Sequence, residues 1–189
     1  MKLADFGFSD GINEIIAVTK GLRLNTAPIG IIVEDENSIF AKAKLYPSHT
    51  LENLKINGKL WANVVLDPII FTMSAFEDLD ESYFISGKPI LKNALAYCEF
   101  DVNLVDSIAH LKLLKGEILN NSLRAVNRGF NVLIESLVYA TRYKISGMNA
   151  RKKIEEKIKF YKKIVEKCGS RREKEAFNLM LQYIGLELD

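Results

Sequence analysis

The chain has only two cysteines, two histidines, four prolines and one tryptophan in 189 residues. Cys98 and Cys168 stand far apart with no CxxC spacing, which argues against a disulfide framework or a structural zinc site. Each reads instead as a small hydrophobe of a packed core. His49 and His110 form no HExxH or HxH pattern, so metal catalysis has little support. No apolar run approaches the roughly 20 residues that cross a bilayer. The opening Met1-Lys-Leu-Ala-Asp-Phe6 has neither a long apolar core nor a small-residue cleavage site. No secretory signal or membrane association is therefore expected, and a cytoplasmic location follows by default. No GxGxxG follows a strand-like run, which removes a Rossmann-type site for a nicotinamide dinucleotide. Internal repeats and low-complexity segments are also missing.

What is present is an ordinary globular composition, 48% apolar and 26% charged. The net charge of +2 is too small to imply nucleic acid, which is not an expected partner. Its distribution is uneven, because residues 142–174 hold thirteen Lys or Arg against four acids, Glu155, Glu156, Glu166 and Glu173. Ile154, Ile158, Tyr161, Val165 and Cys168 recur in that segment at helical spacing. The pattern predicts a helix with one face buried and its lysines in water.

Residues 1–122 read as β-rich. Ile12–Thr19 is enriched in β-branched side chains and ends at the turn Lys20-Gly21. Pro28–Val33 and the alternating Ser38–Tyr46 follow as strands, then Trp61–Leu66. Residues 69–76 are open between a strand and a helical turn, and the acidic residues 77–81 read as a surface loop. Ala94–Val105 and Leu111–Leu119 are strands, with Gly116 as a possible bulge and His110 between strands in a structural role. Trp61 and Phe71 read as core aromatics. Such strands with one short helix suggest a small closed or partly open barrel. In residues 123–189 the period changes to that of helices. Val126, Phe130, Leu133, Ile134, Leu137 and Val138 form an apolar stripe, a second helix is expected over 150–168 and a third over 171–185.

The richest chemistry lies in Leu45-Tyr-Pro-Ser-His-Thr-Leu-Glu-Asn-Leu54. It predicts a strand ending in a proline turn and a hydroxyl-capped helix over 49–57, stopped by Asn57-Gly58. The first N–H groups of a helix lack intrahelical partners and carry the positive end of its dipole. With Ser48, His49 and Thr50 there, that end suits an anion, most often a phosphate. Ser48 alternatively serves only as the cap.

Several segments together are similar to the FMN-binding split-barrel proteins. They are Gly11-Ile-Asn-Glu14, Asn25-Thr-Ala-Pro-Ile-Gly30, Tyr46-Pro-Ser-His-Thr-Leu-Glu-Asn53, Ala62-Asn-Val-Val65 and Asp67-Pro68. Within that superfamily the chain resembles an uncharacterised, mostly archaeal branch related to the flavin reductases. That branch carries a helical tail resembling Val126-Asn-Arg-Gly-Phe-Asn131 and Ile134-Glu-Ser-Leu-Val-Tyr-Ala-Thr-Arg142. The resemblance implies a β-barrel plus α fold, namely a six-stranded FMN-binding split barrel over 1–122 with a C-terminal helical appendage over 123–189. It also implies a homodimer with FMN near the dimer interface.

By the same resemblance Thr26, Ala27 and Pro28 match the segment against the flavin ring. Tyr46, Ser48, His49 and Thr50 match the turn that holds the ribityl phosphate, Asn53 its helix, and Asn63 a polar contact on the next strand. Lys42 and Lys44 are candidates for neutralising phosphate charge or are simply solvated. Arg128 either reaches the flavin or pairs with a carboxylate such as Glu135 or Asp106. No side chain is demanded as an acid or base. The function implied is an oxidoreductase of flavin-reductase type with a nicotinamide or deazaflavin electron donor. The long basic tail departs from the usual reductases. It keeps two alternatives open, a non-catalytic flavin or deazaflavin carrier or sensor, and an interaction module built on the tail.

Overall fold

The computed structural model describes residues 1–122 and 124–188. Contacts divide the chain into two compact units, Met1–Leu66 with Glu77–Ser122, and Asp67–Phe76 with Leu123–Asp189. Leu123 and Asp189, the ends of the expected helical segment, lie outside the described residues.

The first unit contains strands β1 (Gly11–Lys20), β2 (Leu24–Val33), β3 (Phe40–Lys44), β4 (Lys59–Val64), β5 (Ala96–Val105) and β6 (Ile108–Ile118), with helix α1 (His49–Asn57) between β3 and β4. They close as a barrel in the order β1-β2-β3-β6-β5-β4, every neighbouring pair antiparallel. The seam joining β4 to β1 pairs Ile16 with Asn63, Ala17 with Ala62 and Val18 with Trp61. Alternation along each strand sends one set of side chains inward, and Ile15, Ile31, Leu60, Cys98, Phe100 and Leu111 form the filling. Alanines at 17, 43, 62 and 109, all buried, keep the interior narrow enough for those larger residues to fill it.

Two strand expectations change. The bulge is not at Gly116: Glu99 pairs with Lys115 and Phe100 with Leu113, so the extra residue on β6 is Leu114. Gly116 has a different cause, since a Cβ there would sit 2.7 Å from the ring of Phe6, which packs across the strand. His110 lies within β6 rather than between strands, opposite Lys42 and Asn103, and is exposed.

β2 also starts earlier than expected, so Pro28 stands inside a strand. β3 pairs with β2 only at Ile31 and Ile32, which leaves the edge of β2 facing away from β1 without a strand partner over 24–30 among the described residues. Backbone groups alternate between the two edges of a strand. Thr26 N–H leaves the β1 ladder and bonds to Asp78, so Pro28, two residues on, shares that outer edge. Its missing N–H costs the β1 ladder nothing there.

The second unit holds α2 (Pro68–Phe76), α3 (Arg128–Tyr143), α4 (Met148–Cys168) and α5 (Arg171–Ile184). Residues 69–76, open between strand and helix in the sequence, are helical from Pro68 onward, with proline in the first turn, where its missing N–H is harmless. Phe71 meets Phe130 edge-on at 5.9 Å, and Phe76 stacks on Tyr183 at 4.9 Å. Leu133, Leu137, Ile154, Ile158, Val165, Phe177 and Met180 are buried. No helix among the described residues is long and apolar enough to cross a membrane.

Candidate functional site

β3 delivers the chain to the proline turn, and Leu45 N–H donates to Ser107 O at 2.8 Å. Ser48 then adopts an extended conformation, and its Oγ accepts from Leu51 N–H at 3.4 Å. The same hydroxyl donates to Tyr46 O at 2.9 Å, so its proton is spent on shaping the turn. The helix ends where the sequence says it should, at Gly58 with φ 64° and an N–H bonded to Leu54 O. The N–H groups of His49 and Thr50 stand in the first turn, where helix geometry gives them no internal acceptor. Tyr46 is 60% exposed, and Ser48 and His49 are exposed beside it. His49 Nδ1 lies 3.0 Å from Glu52 Oε2, and Lys44 Nζ lies 5.8 Å from the centroid of the Tyr46 ring. This open pole carries cations, donors and the positive end of a dipole.

Behind it the polar residues turn inward. Thr50 is 2% exposed and its hydroxyl donates to Asn25 Oδ1 at 2.8 Å. Asn25 Nδ2 and Thr26 N–H both donate to Asp78 Oδ1, at 2.7 and 2.9 Å. Leu79 N–H returns a bond to Thr26 Oγ1 at 3.0 Å. Arg23 Nε lies 3.7 Å from Asp78 Oδ2 with its side chain half exposed. One turn along α1, Asn53 Nδ2 donates to Thr19 O, Thr19 Oγ1 and Arg23 O, which pins the β1–β2 turn to the helix. Gly21 makes that contact possible, because a Cβ there would stand 2.5 Å from Asn53 Oδ1.

The structure thus brings Thr26, Ala27, Pro28, Tyr46, Ser48, His49, Thr50 and Asn53 into one region of the barrel unit, joined through α1 and β2. Ala27 and Pro28 are half-buried, and Pro28 lies on the unpaired edge. Asn63 sits in β4 at the seam, fully buried; its Oδ1 accepts from Leu91 N–H at 2.8 Å and its Nδ2 faces Trp61 O and Pro89 O. It fastens the loop around residues 89–91. Arg128 belongs to the other unit, exposed at the start of α3 behind its cap Asn127, and lines a concavity of about 520 Å³ with Arg124 and Cys168. A second concavity, of about 420 Å³, lies on the outer face of β3 and β6 around Phe40, Lys42, His110 and Lys112. Neither concavity is at the helix pole, so the candidate site rests on its donors and not on a deep cleft. Lys42 is engaged with Glu34 at 2.7 Å. Cys98 is buried in the barrel, and burial pushes its thiol up to about 12, which leaves it without a reactive thiolate. Among the described residues no cluster of His, Cys, Asp or Glu is placed to hold a metal.

Sequence reasoning missed Arg23, Asn25 as a side chain in its own right, and Asp78. Asn25 stood in a segment already singled out, and its neighbour Thr26 was the signal. Asp78 had none: it sits in an acidic run that reads as surface, and its partners are more than fifty positions away.

Two family models match the chain, the N-terminal domain of the protein of unknown function family DUF447 over residues 13–124 and the DUF447 C-terminal model over 127–182. The uncharacterized protein MJ1453 of Methanocaldococcus jannaschii is 30% identical over 195 residues, which cover 93% of this chain and 99% of that protein. Among solved structures, the FMN-bound protein MM1853 from Methanosarcina mazei is 37% identical and covers 96% of this chain and 99% of its own, with a TM-score of 0.85. An FMN-binding protein from Thermus thermophilus with bound p-hydroxybenzaldehyde matches 60% of this chain and 74% of its own at 11% identity and a TM-score of 0.46, too distant to bear on function.

Proposed function

This chain belongs to the DUF447 family, and on that premise we propose that it is an FMN-binding flavoprotein that works as an oxidoreductase in a homodimer. One observation carries the cofactor: the relative that shares the split-barrel fold and the helical appendage over 96% of this chain is bound to FMN.

The residues present suit both ends of that molecule. A phosphate needs N–H donors, positive potential and access, and the exposed start of α1 offers the His49 and Thr50 amides with His49 and Arg23 nearby. The isoalloxazine has an edge that both donates and accepts hydrogen bonds. The unpaired edge of β2 at Pro28 offers a carbonyl and no competing N–H, and small Ala27 lets a ring approach the backbone. In this reading Ser48 and Tyr46 shape the phosphate turn, Thr26 to Pro28 orient the ring, and Asn53 and Asn63 hold the surrounding turns in place.

FMN, when bound, supplies hydride and single-electron chemistry, and the protein supplies orientation and electrostatics. The His49 and Thr50 amides would hold its phosphate, and the β2 edge would take its ring. A nicotinamide or deazaflavin is the donor class that fits such a site.

The visible absorption spectrum of the purified protein, with mass identification of the released chromophore, tests the reading. A flavin band near one FMN per chain supports it. A colourless protein that takes up no added FMN refutes it. Donor oxidation faster than free FMN sustains would establish the oxidoreductase. Stoichiometric FMN without such turnover would leave a carrier or sensor.

A further inference from the structure

We propose that Asp78 is a positioning residue that sets the register between the anion pole of α1 and the ring-facing edge of β2, an inference that rests on the FMN reading above. No sheet ladder joins α1 to β2; Thr50 donates to Asn25 Oδ1 and Asn53 holds the β1–β2 turn, so how the Asn25 amide is held decides how the first turn of α1 meets the β2 edge. The path is continuous: Thr50 Oγ1 to Asn25 Oδ1 at 2.8 Å, Asn25 Nδ2 to Asp78 Oδ1 at 2.7 Å, and Thr26 N–H to the same oxygen at 2.9 Å. Leu79 N–H to Thr26 Oγ1 at 3.0 Å closes it reciprocally. Thr50, Asn25, Thr26 and Leu79 are all under a tenth exposed, so the partners are shielded from water, while the Asp78 side chain itself is 30% exposed. One carboxylate oxygen therefore serves the residue that fastens the first turn of α1 and the residue that opens the β2 edge. Its other oxygen faces Arg23 and keeps that cation near the pole.

FMN is a two-headed ligand, a dianion joined to a planar ring by a short flexible chain. Its second head binds with full advantage only when the two subsites stand at the distance the chain spans. Riboflavin has the ring and no phosphate, so the separation of the subsites hardly matters to it. Asp78 touches neither head and acts through Asn25 and Thr26. Its loss should therefore change the relative affinity for the two ligands, which a general loosening of the fold would not do.

The test is titration of the full chain with FMN and with riboflavin, followed by flavin fluorescence, for the wild type, Asp78→Ala and Asp78→Asn. Asp78→Ala is expected to weaken FMN by about tenfold or more and riboflavin by less than about threefold. Asp78→Asn, which keeps an acceptor for Thr26 N–H, should fall between. Equal losses for both ligands, or no loss for FMN, overturn the positioning role. A wild-type chain that binds no FMN overturns the cofactor reading itself, and this inference with it. Should Asp78→Ala fail to fold, the FMN-to-riboflavin ratio in Asp78→Asn decides. An unchanged ratio in folded Asp78→Asn refutes the proposal. A reduced ratio there supports it.

Discussion

The two units differ in one respect among their buried polar groups: of the described residues, only the helical unit buries a charge. In the barrel unit the buried polar side chains are Thr19, Asn25, Thr26, Thr50, Asn53 and Asn63, all uncharged. Each joins a segment that the strand ladders do not reach: the β1–β2 turn, the free edge of β2, α1, or the loop at 89–91. The helical unit buries the hydroxyls Thr72, Ser74 and Ser136 as well, and adds carboxylates at the starts of α2 and α5. Glu173 is buried, closes a capping box with Ser170 at the start of α5, and takes an ion pair from Arg124 at 3.0 Å. Asp67 accepts from Ile69 N–H at the start of α2 and binds Arg172 through both oxygens. Strands satisfy their backbones laterally, so a barrel needs polar side chains only where the ladder runs out. Helices leave their first N–H groups orphaned, and carboxylates serve them at α2 and α5 while Asn127 caps α3. In the barrel unit α1 is capped by Ser48, with Glu52 in its first turn.

The largest test of this contrast compares Phe100→Ala in the barrel with Phe177→Ala in the helical unit. Each empties a fully buried site and should cost about 3–5 kcal/mol. Trp61, the only tryptophan, reports on the barrel by fluorescence, and far-ultraviolet circular dichroism at 222 nm weights the helices. Separate shifts of the two denaturation curves, each in its own variant, are expected. Coincident shifts in both would mean that the units unfold as one.

Glu173→Gln should cost roughly 1.5–3 kcal/mol, because it removes charge-assisted bonds from a buried group, and the dichroism curve should carry the loss. Burial opposes ionisation of Glu173, but the bonds from Ser170, the helix backbone and the Arg124 charge outweigh it and hold its carboxyl below the ordinary glutamate value of 4.5. A folded pKa below the unfolded one means stability that is complete above 4.5 and lost as pH falls through the folded value. Acid titration of the helical transition should show this loss in the wild type and a weaker one in Glu173→Gln.

In the barrel, Asn53→Ala should cost about 1–3 kcal/mol, since it removes the buried donor shared by Thr19 O, Thr19 Oγ1 and Arg23 O, with the loss in the Trp61 signal and little dependence on pH. The smallest effect is expected from Lys152→Glu or Lys163→Glu on the exposed face of α4, which should leave both curves where they were. A sizeable shift from either would show that this basic face is more than solvated.

Much of this was legible in the residues. α1 runs from His49 to Asn57 as expected, because a serine cap and an Asn-Gly stop are local chemistry. α3, α4 and α5 followed from apolar spacing alone. α2 was not separable from a strand, since Ile69–Phe76 is apolar all round and periodicity has nothing to contrast. The bulge at Leu114 was assigned to Gly116 because glycine is the usual marker, whereas here it makes room for Phe6. Among site residues, the sequence placed Thr50 and Asn53 on the right helix but not the direction of their side chains, which point into the protein and bond to Asn25 and to the β1–β2 turn.

Sequence alone determined most of the elements, α2 excepted, the change from strand to helix near residue 122, and the capped start of α1, since each depends on neighbours within a turn or two. Tertiary structure alone decided which strand edge is left unpaired, which hydroxyls and amides are already spent, and that Asp78 binds Asn25 and Thr26. Those outcomes depend on closure of the barrel, which brings distant segments to hydrogen-bond distance, and no local pattern along the chain encodes that distance.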